Sequence, residues 1–290
     1  MILMHYGPRN ALSALPLVFL LLSFAPMFAN AVKLDILTPV QTTLSPGDTV
    51  DLGVVGPGQK LEIVASSKTY MTATTSKDGG QAHWDQLRAA GETLPAGWTY
   101  ENGEYYLDES KLFIYVSPDA KDGDYTFQFY AIDEYEGAGK ILVTAKVKVD
   151  KNVFSMGISP AKSTVAVGTP ALFQVSLGNR ASASDSIDLT LAGFPGAANY
   201  SKRIFLPHNS QITVPVEISS NEQGTYAVSF KAVSRSSPKI NAAASGTMVS
   251  TASLFKDMQS AGYGLLLFPT SQQSVIGLLA FFSNAFGQGN

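Results

Sequence analysis

The chain has 290 residues, of which 45% are apolar and 15% charged, with a formal net charge of −3. That length suits two domains of ordinary size, and the apolar content excludes general disorder. Cysteine is absent, which excludes disulfides, thiolate nucleophiles and zinc–thiolate sites.

Residues 1–31 read as a segment outside the fold. Arg9 supplies a positive start, "ALPLVFLLLSFAPMFA" an apolar stretch, and Ala29-Asn30-Ala31 the small residues that a signal peptidase requires. Cleavage there makes Val32 the mature N-terminus. An uncleaved N-terminal anchor is the alternative, and either way the body of the protein is expected outside the cytoplasm. Export without cysteine means that packing, not covalent staples, holds the fold. Asn199-Tyr200-Ser201 makes Asn199 a glycosylation candidate, although so short a motif is common by chance.

From residue 32 onward the chain reads as β-structure. "TVDLGVV", "KLEIVAS", "KLFIYVS", "DYTFQFYAI" and "ILVTAKVKV" alternate apolar and polar residues, and so do "ALFQVSL", "SIDLTLAGF", "QITVPVEI" and "TYAVSFKAV". Turn formers separate them, as at Ser45-Pro46-Gly47-Asp48 and Gly56-Pro57-Gly58. Strands of this length and spacing predict β-sandwiches.

Two copies of one pattern are present. "TPVQTTLSPGD" from Thr38 matches "SPAKSTVAVGT" from Ser159, and "GDYTFQFYAI" from Gly123 matches "GTYAVSFKAV" from Gly224. "LPAGW" (Leu94 to Trp98) takes the place of "LAGFP" (Leu191 to Pro195). The separation falls from 121 residues at the first match to 101 at the last, so the first copy carries roughly twenty extra residues. "SKDGGQAHWDQLRAAGE" is the natural candidate, and its "HWDQLRAA" core predicts a helical insert near residues 76–92. The expected domains are residues 32–150 and 151–250.

"LPAGW" followed by "VSPDAKDGDYTFQF" resembles the signature of the NPCBM-associated, CARDB-like immunoglobulin-like domains of microbial cell-surface proteins, archaeal or bacterial. The resemblance covers most of residues 33–249 and is weaker in the second copy. It implies two tandem immunoglobulin-like sandwiches used as spacers or docking units, without catalysis. Tyr125 and Tyr226 are expected to act as corner tyrosines whose hydroxyls bond back to the backbone. Trp98 and Phe194 are expected to plug the two cores.

No catalytic motif appears. After residue 31 only His83 and His208 remain, one in each copy, and neither has metal-ligand spacing. Nucleophile-elbow and phosphate-loop patterns are missing too, so neither an enzyme nor a cofactor is expected. Asp119, Asp122 and Asp124 are weak candidates for a cation, with Asp133, Glu134 and Glu136 further on, but Asp and Gly are also what a tight turn selects. Trp84, Trp98, Tyr100, Tyr105 and Tyr106 could form a carbohydrate-binding face, or instead fill the core.

Charge divides unevenly. Residues 32–150 hold eighteen acidic and ten basic side chains, whereas residues 151–256 hold four and nine. A basic module beside an apolar tail suits an anionic lipid surface, and nucleic acid is not an expected partner. In residues 251–290 the apolar side chains fall in two groups separated by Pro269. Leu265, Leu266, Leu267 and Phe268 form the first, and Val275, Ile276, Leu278, Leu279, Phe281, Phe282 and Phe286 the second. Twelve helical residues reach only about 18 Å, short of a ~30 Å hydrocarbon layer. A short helical hairpin lying in the membrane surface therefore fits better than a span, with packing on protein as the third option. The expectation is a non-enzymatic, membrane-associated extracellular protein of the cell surface, acting by adhesion or protein–protein contact. Carbohydrate binding is the alternative.

Overall fold

The computed structural model describes residues 32–74, 80–194 and 200–252. The signal peptide, Asn199 and the helical tail expected from the sequence lie outside these residues. No helix among the described residues is long and apolar enough to cross a membrane.

Strands are numbered along the chain. In the first sandwich one sheet runs β2 (Thr42–Leu44), β1 (Leu34–Thr38), β4 (Lys60–Ser66), β9 (Glu109–Tyr115), β8 (Thr99–Asn102). It faces β3 (Thr49–Val55), β11 (Lys140–Val149), β10 (Gly123–Ile132), β7 (Gln86–Ala89). The second sandwich sets β12 (Phe154–Ser159), β14 (Ala171–Asn179), β17 (Ser210–Ile218) against a larger sheet. That sheet runs β13 (Lys162–Ala166), β19 (Asn241–Thr251), β18 (Gly224–Ser234), β15 (Asp185–Ala192), β16 (Ser201–Leu206). Both are immunoglobulin-like arrangements, as the alternating strands predict.

The alternation becomes packing directly. Phe127, Phe129 and Ala131 of β10 point inward opposite Ala145, Val143 and Ile141 of β11, so large residues face smaller ones across the pair. Both corner tyrosines are formed: the Tyr125 hydroxyl donates to the Lys121 carbonyl at 3.0 Å, and that of Tyr226 to the Glu222 carbonyl at 3.1 Å. Trp98 closes the first core against Tyr125 and Phe127, and Phe194 packs on the second. The matched prolines, Pro39 and Pro160, both follow cis peptide bonds.

The helical insert is not present in the described part of residues 76–92. Between β4 and β7, nineteen residues stand where the second copy has five between β14 and β15, and they include a hairpin of β5 (Lys68–Thr72) and β6 (Gln81–His83). "HWDQLRAA" contributes the end of β6 and all of β7, leaving only a 3-10 turn at Gly91–Thr93. Eight residues are too few to hold a helix alone. Pairing of Leu87 and Ala89 with β10 buries both side chains, which outweighs helix propensity.

The sandwiches meet end to end. The buried Gln59 amide donates to Asp185 Oδ2 at 2.9 Å, and that carboxylate also accepts from Ser234 (2.7 Å) and Ser236 (2.9 Å). Val54 packs into the second core and Ala183 into the first, while the Ser182 N–H donates to the Val54 carbonyl at 2.7 Å. Lys239–Asp119 (2.9 Å) and Arg180–Asp150 (2.7 Å) lie outside these contacts.

Candidate interaction surface at the distal end

β10 starts beside this junction and runs away from it. Ten residues at about 3.3 Å each put Asp133 ~33 Å from the second sandwich. Three connections gather there: residues 67–74 and 80–85 of the link between β4 and β7, residues 103–108 between β8 and β9, and residues 133–139 between β10 and β11. Their counterparts in the second copy, residues 180–184, 207–209 and 235–240, surround the junction. Among the described residues, equivalent loops are thus spent on the junction in one copy and lie at the opposite end from it in the other.

Two buried aspartates organise the distal loops. The Asp133 carboxylate accepts from the N–H groups of Tyr135 (2.9 Å), Glu136 (2.7 Å) and Ala138 (2.5 Å), which folds the loop around it. Asp85 Oδ2 accepts from the Glu134 N–H at 2.8 Å, and the Asp85 carbonyl receives the Tyr106 N–H at 2.9 Å. One aspartate therefore ties all three connections together. Burial raises the Asp85 pKa above the ordinary aspartate value against the opposing Glu134 N–H, and the carboxylates of Asp133, Glu134 and Glu136 raise it further.

Over this base lies a cleft of about 270 Å³ lined by Ser67, His83, Trp84, Asp85, Tyr106, Leu107, Asp108 and Glu136. Tyr106 stands at its edge, 64% exposed, with φ +60°, a backbone region that bulky side chains rarely occupy. Its hydroxyl pKa is raised by partial desolvation, then by Tyr135 and by the Glu134 and Asp85 carboxylates. Tyr135 is 67% exposed. Tyr105 lies 5.6 Å from Tyr106, ring to ring, and the Arg88 guanidinium stands 5.3 Å from the Tyr105 ring centre.

No protein-family profile matches the chain, and no curated protein matches it either. Solved structures do. A chimeric titin Z1Z2 carrying a KLER peptide from decorin is similar at a TM-score of 0.36 and 14% identity, over 77% of this chain and 99% of that one. The fibronectin(III)-like modules of Clostridium thermocellum CbhA are similar at 0.25 and 14%, over 76% and 94%. Red sea bream transglutaminase is similar at 0.27 and 10%, over 67% of this chain and 30% of its own. The immunoglobulin-like assignment rests on strand order and register.

The five aromatics expected to form a carbohydrate face do not share one. Trp84 (1% exposed) and Trp98 (6%) are core residues, because each sits on the inward side of its strand or turn. Tyr100 lies opposite Ile114, five residues along β9 from Glu109, or ~17 Å toward the junction. Trp84 reaches the floor of the distal cleft as a buried side chain, and of the five only Tyr105 and Tyr106 are exposed together at that end. Nor do the three aspartates converge: Asp119 pairs with Lys239, Asp122 with Lys151 at 3.8 Å, and Asp124 lies on β10. Among the described residues no group of three His, Asp or Glu side chains is placed to hold a metal. His83 lies against Glu136, with Nδ1 3.4 Å from the carboxylate, and His208 is in the other sandwich, its backbone N–H donating to Ser184 Oγ at 3.1 Å. Sequence reasoning missed Asp85, Tyr135 and the pairing of His83 with Glu136. The run "DEYEGAGK" between two alternating segments is a hairpin-loop signal that places Tyr135 at a strand end. Nothing in sequence order brings it to Tyr106.

Proposed function

We propose that this is a non-catalytic, exported cell-surface protein whose distal end binds a partner protein, and whose apolar residues 251–290 associate with the outer face of a membrane. The observation that carries this reading is the unequal use of equivalent loops. In the second sandwich they build the junction. In the first they lie away from the second sandwich, are lengthened by a hairpin, and carry exposed tyrosines on a base fixed by Asp85 and Asp133. Exposed aromatics on a rigid scaffold are the usual anchors of protein contact.

The chain path supports the same orientation. β19 ends at Thr251, at the far end of the second sandwich. Two strand lengths of about 33–36 Å separate Thr251 from the distal loops, a reach on the order of 70 Å. Residue 33 lies at the distal end, its N–H donating to the Thr69 carbonyl. Removal of residues 1–31 would leave that end unencumbered, and an uncleaved anchor would hold it against the bilayer. The resemblance of the sequence to microbial surface domains supports the same reading, and the basic second module would face anionic headgroups.

Full mature protein is expected to sediment with anionic lipid vesicles, and residues 32–252 to stay in the supernatant. Mass spectrometry of the exported protein should find Val32 at the N-terminus. Full-length protein remaining wholly soluble beside vesicles would remove the membrane role.

A further inference from the structure

At the distal end the exposed rings coincide with negative charge. Asp85, Asp108 and Glu136 line the cleft; Glu136 lies 3.4 Å from His83 Nδ1, and no lysine or arginine among the described residues forms an ion pair with any of the three. Tyr106 stands at the rim, with the Tyr135 hydroxyl and the Glu134 carboxylate close to its own. Ring faces carry negative potential, and carboxylates nearby add to it. The same surface already holds one cation against a ring, Arg88 on Tyr105.

Resting on the reading of this end as a contact surface, we infer that the cleft between Tyr106 and Glu136 receives a lysine or arginine side chain of a partner protein. Its methylenes lie along Tyr106 and Leu107, and its charged head faces the carboxylates. About 270 Å³ is room for one such side chain and not for a folded element. A neutral sugar fits less well. Asp85 and Asp133 already receive backbone N–H groups, and the remaining negative charge gives an uncharged ligand no advantage.

The test is titration of the full mature chain, held in neutral detergent, with hexa-arginine and with a Gly-Ser hexapeptide at physiological salt. The readouts are calorimetry and tryptophan fluorescence, to which Trp84 in the cleft lining and Trp98 in the core contribute, so Trp98→Phe is the background for the optical titration. Tyr106→Gly keeps the net charge and relieves the positive φ, so the fold is retained while the ring is lost. Tyr135→Ala is the second charge-neutral variant. Each should weaken hexa-arginine binding at least tenfold. Asp122→Asn with Asp124→Asn removes charge near the junction and should change it less than twofold. Equal losses in this control, or equal binding of the Gly-Ser peptide, would overturn the inference. So would a neutral polysaccharide that binds through Tyr106 and is not displaced by hexa-arginine. Capture of a partner from native membrane extract separates the two levels. If capture needs Tyr106 and Tyr135 but hexa-arginine does not compete, the contact surface stands and the cationic ligand falls. Capture unaffected by either variant removes the contact surface itself.

Discussion

Asp85 and Asp133 show what single residues do at the distal end. Each is buried, and each turns a carboxylate toward backbone N–H groups that no strand satisfies. For Asp85 the folded protein disfavours the ionised form, since burial comes first and three neighbouring carboxylates add to it. Its stabilising contribution is therefore complete below the ordinary aspartate value and declines as pH rises through the raised one. Asp85→Asn cannot ionise. Relative to wild type, the variant should gain melting temperature as pH rises from 3 through 6, read by scanning calorimetry. A gap moving the other way would mean that the Glu134 N–H bond outweighs burial. Tyr70 and Tyr106 also belong to this end, and both hold φ near +60°. Such backbone costs on the order of 1–3 kcal/mol and persists only where surrounding contacts impose it.

At the scale of elements, the two copies diverge at their edges and agree in their cores. β8 joins β9 in the first sandwich, whereas β16 joins β15 in the second, so the matched edge strand has changed sheets. The larger difference is the β5–β6 hairpin and the entry into β7. Ala82 and Trp84, then Leu87 and Ala89, point inward, with the phase shifted at Asp85 and Gln86. A surface helix would leave Trp84 replaceable. As a core residue whose indole N–H donates to the Lys33 carbonyl at 3.0 Å, it should cost about 3–5 kcal/mol on Trp84→Ala. Chemical denaturation measures this, and a change below ~1 kcal/mol would contradict the strand placement.

At the scale of the molecule, the junction decides whether the distal end is held in one direction. Glycines make the approach possible. A Cβ on Gly56 would lie 2.3 Å from Ile240 Cδ1, and one on Gly58, at φ +76°, 2.4 Å from the Ser236 carbonyl oxygen. The second contact is with backbone and cannot be relieved by a rotamer change. Gly58→Val is expected to open the junction and leave both sandwiches folded, seen as a wider distance distribution between spin labels placed on the two modules. Gln59→Ala removes one donor from the buried Asp185 carboxylate and should cost about 1–3 kcal/mol by denaturation. An unchanged distribution in Gly58→Val would mean that the end-to-end contact does not set the geometry.

Local pattern by itself determined the sandwiches, the repeat and the corner tyrosines, because alternation and turn residues act between neighbours in the chain. The extra length ahead of "LPAGW" was legible for the same reason; its conformation was not, because pairing with β10 governs it. Tyr105 and Tyr106 were readable as aromatics available for contact, but Trp84 and Trp98 looked no different before the core was assembled. Only the tertiary structure decided which loops face the neighbouring sandwich. Asp85, Tyr106 and Glu136 are brought together by three separate connections, and the second copy's equivalent loops are covered by its neighbour. Strand direction and end-to-end packing set both outcomes, and neither has a local signature in sequence.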